Sequence, residues 1–185
     1  MIPVSSADIA AIIPELILFA GAMLVLMLDA FAPRFTRRFG PLAGGMIIFV
    51  ALLAMENVGV TSSMAFGRTI LNDAFTHFAG FVILISAFLV TMISWGYLES
   101  RKLPVGEYIA GLLVATGGML LITRSANLMV IFVALEILSL ALYMMVAYRR
   151  DLGDSVEAGL KYFILGAYSS AFFIFGATQI GRAHV

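Results

Sequence analysis

Long apolar stretches separated by short polar breaks form the main pattern of this 185-residue chain. Six of them approach or reach the ~20 apolar residues that a membrane-spanning helix needs. These segments are residues 9–28, 42–55, 74–97, 108–123, 128–148 and 158–180. The breaks between them contain residues that favour turns, such as Pro33, Gly40-Pro41 and Pro104. The pattern therefore predicts an all-α, polytopic transmembrane helix bundle of about six spans.

The basic residues predict how the six segments are oriented. The first, third and fifth connections carry Arg34, Arg37, Arg38, Arg101, Lys102, Arg149 and Arg150, and the second and fourth carry only Arg68 and Arg124. Cytoplasmic loops are enriched in Lys and Arg, so the odd connections are expected in the cytoplasm and the N-terminus outside. Trp95, Tyr97 and Tyr148 then lie at cytoplasmic span ends, as an aromatic belt would.

Composition excludes several other classes of protein. Apolar residues make up 62% of the chain and charged residues 12%, against roughly 45–50% and ~25% in soluble domains. The formal net charge is zero, so no nucleic-acid partner is expected. The chain has no cysteine, which excludes disulfides, thiolate metal sites and cysteine-ligated iron–sulfur clusters from it. The expected surroundings are a lipid bilayer, and no cofactor is expected in this chain.

Glu136 is the first candidate functional residue, because no other charge occurs in the apolar run 128–147. A charge at the bilayer centre costs on the order of ~2.5–3.5 kcal/mol on insertion scales, so such residues usually have a partner, a hydrated cavity or a protonic role. In a helix, Ser139 and Tyr143 share the face of Glu136. We expect them to hydrogen-bond the carboxyl and to line a hydrated path. The alternative is a structural carboxyl, permanently protonated or fixed to one partner.

Lys161 is the candidate partner of Glu136. Asp154 followed by Glu157 predicts a capping box at the start of the sixth helix. Lys161 would then lie roughly 10 Å into that helix. Two arrangements stay open: Lys161 reaches Glu136, directly or through water, or it extends to the cytoplasmic surface and pairs with Glu157 at i−4.

Glu15 is a possible supporting residue. It follows Pro14 in the outer half of the first segment. Proline suits the first turn of a helix, and a carboxylate is favoured near a helix N-terminus. The expected role of Glu15 is therefore to stabilise that helix end, with support of a proton path as the alternative.

Two further features concern helix packing. The Ser169-Ser170 pair in the sixth segment is expected to pack or to bond the helix backbone, with lining of a hydrated passage as the alternative. Small residues recur in the fourth segment, at Gly111, Ala115, Gly117 and Gly118. They are expected to allow neighbouring helices to approach closely.

The fifth and sixth segments contain motifs of a known family. The run LEILSLALY occupies residues 135–143, SVEAGLKYF occupies residues 155–163, and a serine pair follows at 169–170. Together with IPELILFAGAMLVLMLDAF at residues 13–31, they resemble the subunit N family of bacterial NADH-quinone oxidoreductase, respiratory complex I, more than its L and M relatives. The resemblance covers nearly the whole chain up to Ile180.

The resemblance implies an antiporter-like fold of about fourteen spans, with two inverted repeats of about five spans and a broken helix in each. Residues 1–179 would supply its N-terminal transmembrane region. Glu136 and Lys161 match the family's proton-pathway glutamate and lysine. That glutamate is taken to pair with a lysine on the seventh span, and protons pass onward to a central lysine.

The resemblance also implies partners and a location. FMN, iron–sulfur clusters and quinone reduction are expected on partner subunits, so quinone is an indirect partner. The direct partners expected are other membrane subunits of complex I, in the bacterial cell inner membrane.

Residues 180–185 are expected to be a non-native tail, because they resemble a translated sequencing adaptor; a genuine short outer tail is the alternative. On the first interpretation the chain is an N-terminal fragment that does not pump by itself. Two other functions stay open. One is a subunit of a multi-subunit cation/proton antiporter, which shares the fold. The other is a structural packing subunit without a proton role.

Overall fold

The structure, a computed structural model, describes residues 5–58 and 63–182. In chain order its elements are α1 Ser6–Ala11, α2 Ile13–Phe31, α3 Pro33–Val58, β1 Ser63–Ala65, β2 Ile70–Asn72, α4 Ala74–Arg101, α5 Val105–Arg124, α6 Leu128–Val146 and α7 Gly153–Arg182. The six helices from α2 to α7 are each long and apolar enough to cross a membrane. The predicted bundle of six spans is confirmed, and the small β-hairpin is an unpredicted addition.

The predicted break at Gly40-Pro41 is wrong, because α3 continues through Pro41. A proline inside a helix removes one backbone hydrogen bond, and membrane helices tolerate this where neighbouring groups satisfy the freed carbonyl. A single residue, Ala32, separates α2 from α3. Arg34 and Arg37 therefore lie in the first turns of α3 and not in a loop.

The start of α7 also differs from the prediction. Asp154 is not the N-cap, because the helix begins at Gly153 and Asp154 lies in its first turn. The N–H groups of Ser155 and Val156 donate to the carbonyl of Leu152 at 3.1 and 3.3 Å. Asp154 keeps a favourable position, since an acidic side chain in the first turn interacts well with the helix dipole.

Helix α5 is the centre of the bundle and packs against α2, α3, α4 and α6. The backbones of α5 and α6 come close at Gly118, where an added Cβ would lie only 3.0 Å from the backbone nitrogen of Leu138. The expectation that small residues allow close packing here is confirmed. By contrast, α7 packs chiefly on α6, and Gly159 is its one buried residue in the described part of the chain.

The connections α2–α3, α4–α5 and α6–α7 lie together at one end, which we call the basic end. There the hydroxyl of Tyr148 donates to the carbonyl of Pro104. Burial, and next the nearby carboxylate of Glu107, raise the pKa of the Tyr148 phenol, so it stays a donor. Arg34 and Lys102 line one cavity at this end. The three connections rich in Arg and Lys thus lie at the same end of the bundle, as predicted.

The opposite end joins α1, the hairpin and the α5–α6 connection. Strands β1 and β2 pair antiparallel, with Ser63 opposite Asn72, Met64 opposite Leu71 and Ala65 opposite Ile70. The N–H groups of Phe66 and Ser5 each donate to the Asp8 carboxylate at 2.8 Å, and both bonds lower the Asp8 pKa. Ala126 N–H donates to the carbonyl of Thr69 at 2.8 Å. The hairpin therefore links the start of the chain to the end of α5.

Candidate functional site

Glu136 lies midway along α6 and lines a groove between α6 and α7 of about 260 Å³. Its side chain is half-buried. The hydroxyl of Ser170, on α7, donates a hydrogen bond to Glu136 Oε1. Ser139 and Tyr143 also line this space, which we call the Glu136 groove. One carboxylate and several hydroxyls thus meet between two otherwise apolar helices.

Aromatic pairs hold α6 against α7 on both sides of the carboxylate. Phe132 stacks on Phe173 with ring centroids 5.9 Å apart, one helical turn before Glu136. Tyr143 meets Tyr162 edge-on at 4.8 Å, two turns after Glu136. The Tyr143 hydroxyl lies directly over Gly166, where a larger residue would overlap it. These contacts set the spacing of the helices, and the carboxylate lies between them.

The hydrogen-bond donor to Glu136 differs from the one predicted. In the described part of the chain, Ser170 makes this bond, whereas Ser139 and Tyr143 only line the groove. Ser169 bonds its own helix instead, at 2.9 Å from the carbonyl of Leu165. The serine pair was visible in the sequence, but only the crossing of α7 over α6 determines which serine faces the carboxylate.

Lys161 adopts the second of the two predicted arrangements. Its side chain is 70% exposed, and Nζ lies 2.5 Å from Oε1 of Glu157, at i−4 on α7. Among the described residues, no Lys, Arg or His nitrogen lies within 4.0 Å of the Glu136 carboxylate. Lys161 therefore does not neutralise Glu136 by direct contact, and the roles of both residues in proton transfer stay predictions.

Glu15 forms a buried ion pair that sequence reasoning missed. Its Oε1 lies 2.8 Å from Nη1 of Arg124, and the side chains are 3% and 5% exposed. Pro14 and Glu15 occupy the first turn of α2, as predicted, and Arg124 ends α5. Glu15 Oε2 is buried without a hydrogen-bond partner in the described structure. If successive spans alternate in direction, Glu15 and Arg124 both lie at the end of the bundle opposite the basic end. The sequence does not show that the two side chains are neighbours there.

Comparisons with known proteins agree with this architecture. Residues 125–183 match the family model described as NADH:quinone oxidoreductase/Mrp antiporter, transmembrane region. The chain is similar to NADH-quinone oxidoreductase subunit N of Magnetococcus marinus, at 36% identity over 94% of this chain and 36% of that protein. The protein of the same name from Rhodobacter capsulatus is 34% identical over 95% of this chain and 37% of its own length.

A solved structure shows the same fold. The chain superposes on a chain of respiratory complex I from Thermus thermophilus, determined with bound aureothin, with a TM-score of 0.72 and 27% sequence identity. The match covers 91% of this chain and 36% of that one. The chain therefore spans just over a third of the length of the relatives that it matches.

Proposed function

Because the chain belongs to the family of NADH-quinone oxidoreductase subunit N, we propose that it contributes to proton translocation as a membrane-arm subunit of that enzyme. The observation that carries the proposal is the setting of Glu136. This carboxylate lies midway along a spanning helix, in a groove with hydroxyl groups, and no cation of the described residues contacts it. Ionisable groups inside a membrane are costly and typically mark ion or proton pathways.

The Glu136 groove suits reversible protonation. A volume of about 260 Å³ has room for several water molecules at about 30 Å³ each. The Ser170 hydroxyl can donate to an ionised carboxylate and can rotate to accept from a protonated one. Approach of a cation would stabilise the ionised form of Glu136, and its withdrawal would favour uptake of a proton. Because no cation of the described residues pairs with Glu136, this carboxylate is proposed to respond to a charge that approaches from another span.

Lys161 is proposed as the next group toward the basic end. It lies more than two helical turns before Ser170 on α7, and its 70% exposed ammonium keeps the freedom to change partner. Ser139 and Tyr143 are proposed to line the hydrated path between these charges. The family resemblance adds a lysine on a seventh span as the main partner of Glu136. Glu15 is proposed to support the helix bundle, since Arg124 fixes its charge.

Electron transfer is proposed to take place on partner subunits. The chain has no cysteine to ligate an iron–sulfur cluster. As the family resemblance implies, FMN, the iron–sulfur clusters and quinone reduction are proposed to belong to other subunits of the complex. The chain itself is a multi-pass membrane protein, and we place it among the other complex I membrane subunits in a bacterial inner membrane.

A cation/proton antiporter subunit is the second candidate function, because the matching family model also describes Mrp antiporters. The names of the relatives favour the oxidoreductase. Purification of the intact tagged subunit from native membranes separates the two. Co-isolation of NADH-dependent quinone reductase activity supports the oxidoreductase, and co-isolation of small antiporter subunits without that activity supports the antiporter.

The substitution Glu136→Gln in the intact subunit tests the protonic role. We expect NADH-driven acidification of inverted membrane vesicles to fall at least several-fold, because glutamine keeps the shape but cannot ionise. The matched control is Glu99→Gln, which removes an exposed carboxylate at the end of α4 and should leave pumping unchanged. Normal pumping by the Glu136 variant in assembled complex would exclude this residue from the pathway and favour a structural packing role.

A further inference from the structure

A basic cavity of about 400 Å³ lies at the basic end, between the α2–α3 junction and the α4–α5 connection. Three cationic side chains line it. Arg34 and Arg37 are one turn apart on α3, and Lys102 follows the last residue of α4. Asp29 is the one acidic residue in the lining.

The positive charge of this cavity is not neutralised within the described chain. Arg34, Arg37 and Lys102 are exposed, and none of them forms an ion pair there. The arginines of the neighbouring α6–α7 connection differ, since Arg149 pairs with Asp151 at 2.6 Å and Arg150 with Glu107 at 2.7 Å. Unpaired cations that converge on one cavity attract an anion.

Asp29 supplies one negative charge but forms no ion pair with these cations in the described chain. Its carboxyl packs directly on Gly106, in the first turn of α5, and leaves no space there for a Cβ. At this position it faces the positive end of the α5 dipole. The cavity therefore has three cations and one carboxylate in its lining, an excess of positive charge.

The backbone at Lys102 supports a role for its charge. Lys102 adopts the left-handed conformation, with φ 55° and ψ 36°, as the C-cap of α4. This position favours glycine, because a residue with a Cβ is disfavoured there. A lysine at a position that favours glycine is consistent with a role for its ammonium group in the cavity.

The surroundings suit an amphiphile better than a small ion. Pro33, Leu103 and Val105 form apolar walls of the cavity. An apolar groove of about 480 Å³ also runs along α2 and ends at Phe31, which is 83% exposed at the same end of the helix. Cationic and apolar surfaces thus meet where the headgroups of a bilayer would lie.

We propose that Arg34, Arg37 and Lys102 bind the phosphate headgroup of an anionic phospholipid, with an acyl chain along α2. Arginine pairs with phosphate oxygens through two parallel hydrogen bonds, and lysine contributes a point charge. Basic pockets between helices on the cytoplasmic side are suited to anionic headgroups. Free phosphate shares this chemistry, and the test separates the two sources.

The test uses the intact purified subunit in phosphatidylcholine nanodiscs with an increasing fraction of phosphatidylglycerol. Retained phosphatidylglycerol is counted by native mass spectrometry. Each cation in contact with the headgroup is expected to contribute about 1 kcal/mol, which is about fivefold in affinity. R34Q/R37Q should therefore weaken retention by more than tenfold. The matched control R38Q/R101Q removes two exposed cations at the same end that do not line the cavity, and it should retain the lipid within twofold.

Lys102→Gly separates binding from folding. Glycine removes the charge and relieves the left-handed backbone, so the unfolding midpoint in phosphatidylcholine should rise while phosphatidylglycerol retention falls about fivefold. If R34Q/R37Q and its control lose phosphatidylglycerol equally, general surface charge explains the retention, and the proposed site is overturned. Displacement of the lipid by millimolar inorganic phosphate would identify a free-phosphate site and overturn the lipid assignment.

Discussion

Glu15 and Glu136 are both carboxylates within spanning helices, and their surroundings are opposite. The side chain of Glu15 is 3% exposed, and its Oε1 lies 2.8 Å from Nη1 of Arg124. Glu136 is half-buried in a groove, with a serine hydroxyl as its hydrogen-bond partner and no contacting cation among the described residues. Glu15 thus has a fixed cationic partner, and Glu136 has none among the described residues. Position within a span therefore does not reveal whether a carboxylate is ion-paired, because its partners depend on how the helices pack.

The packing around the two carboxylates differs in the same way. The two partner residues, Arg124 and Ser170, lie on α5 and α7. In the most apolar part of α5, 67% of the residues are buried, whereas none is buried in the most apolar part of α7. A substitution beside Glu15 therefore meets a closely packed core, and one beside Glu136 meets an open groove. The predictions that follow test this contrast through the free energy of unfolding of the intact subunit, measured in mixed micelles.

Arg124→Gln should give the largest loss of stability. It leaves the Glu15 carboxylate buried without its cation, and breaking a buried ion pair typically costs about 3–5 kcal/mol. The control Arg68→Gln removes an exposed arginine at the same end of the bundle and should change stability by less than about 0.5 kcal/mol.

The double variant Glu15→Gln/Arg124→Gln should recover part of that loss, because neither buried group then carries a charge. An Arg124 variant as stable as the Arg68 control would show that the ion pair does not hold α2 to α5. In that case Glu15 would not be a structural carboxylate, and its contrast with Glu136 would no longer hold.

Gly118→Ala should cost about 1–3 kcal/mol, the usual range for overpacking. The new Cβ would lie 3.0 Å from the backbone nitrogen of Leu138, and a helix backbone cannot rotate away. Gly176→Ala is the matched variant in the open region, because nothing lies within 4 Å of the new methyl there. We expect it to change stability by no more than about 1 kcal/mol, the difference in helix propensity between glycine and alanine. A loss at Gly176 as large as the loss at Gly118 would indicate that α7 is packed as closely as α5.

The sequence predicts the spans well and the pairs between helices poorly. Apolar length identified α2 to α7, and alternation of basic residues grouped their connections correctly. In lipid, however, apolar residues cover every face of a spanning helix, so the pattern does not reveal which face packs. The contacts Glu15–Arg124 and Ser170–Glu136 depend on helix crossings that no local pattern encodes. Glu136 itself was predictable, because an isolated charge in an apolar run stands out without knowledge of its neighbours.

Ser170→Ala should destabilise the protein by about 1 kcal/mol, the typical net value of one hydrogen bond. The lost bond is the one that Ser170 donates to Glu136 across the groove. Ser169→Ala is the adjacent control, because Ser169 bonds only the carbonyl of Leu165 in its own helix. It should change stability by less than about 0.5 kcal/mol. Equal effects at the two serines would contradict the contact between α7 and Glu136.

Lys161→Gln should have the smallest effect on stability and still reduce proton pumping. Its exposed i,i+4 pair with Glu157 is worth only about 0.3–0.5 kcal/mol. Glu157→Gln breaks the same ion pair but keeps the lysine, so it should match the stability change without loss of pumping. If both variants lose pumping equally, the ion pair and not the ammonium matters. If neither does, Lys161 is an anchor at the membrane surface, and Glu136 must exchange protons with a different partner.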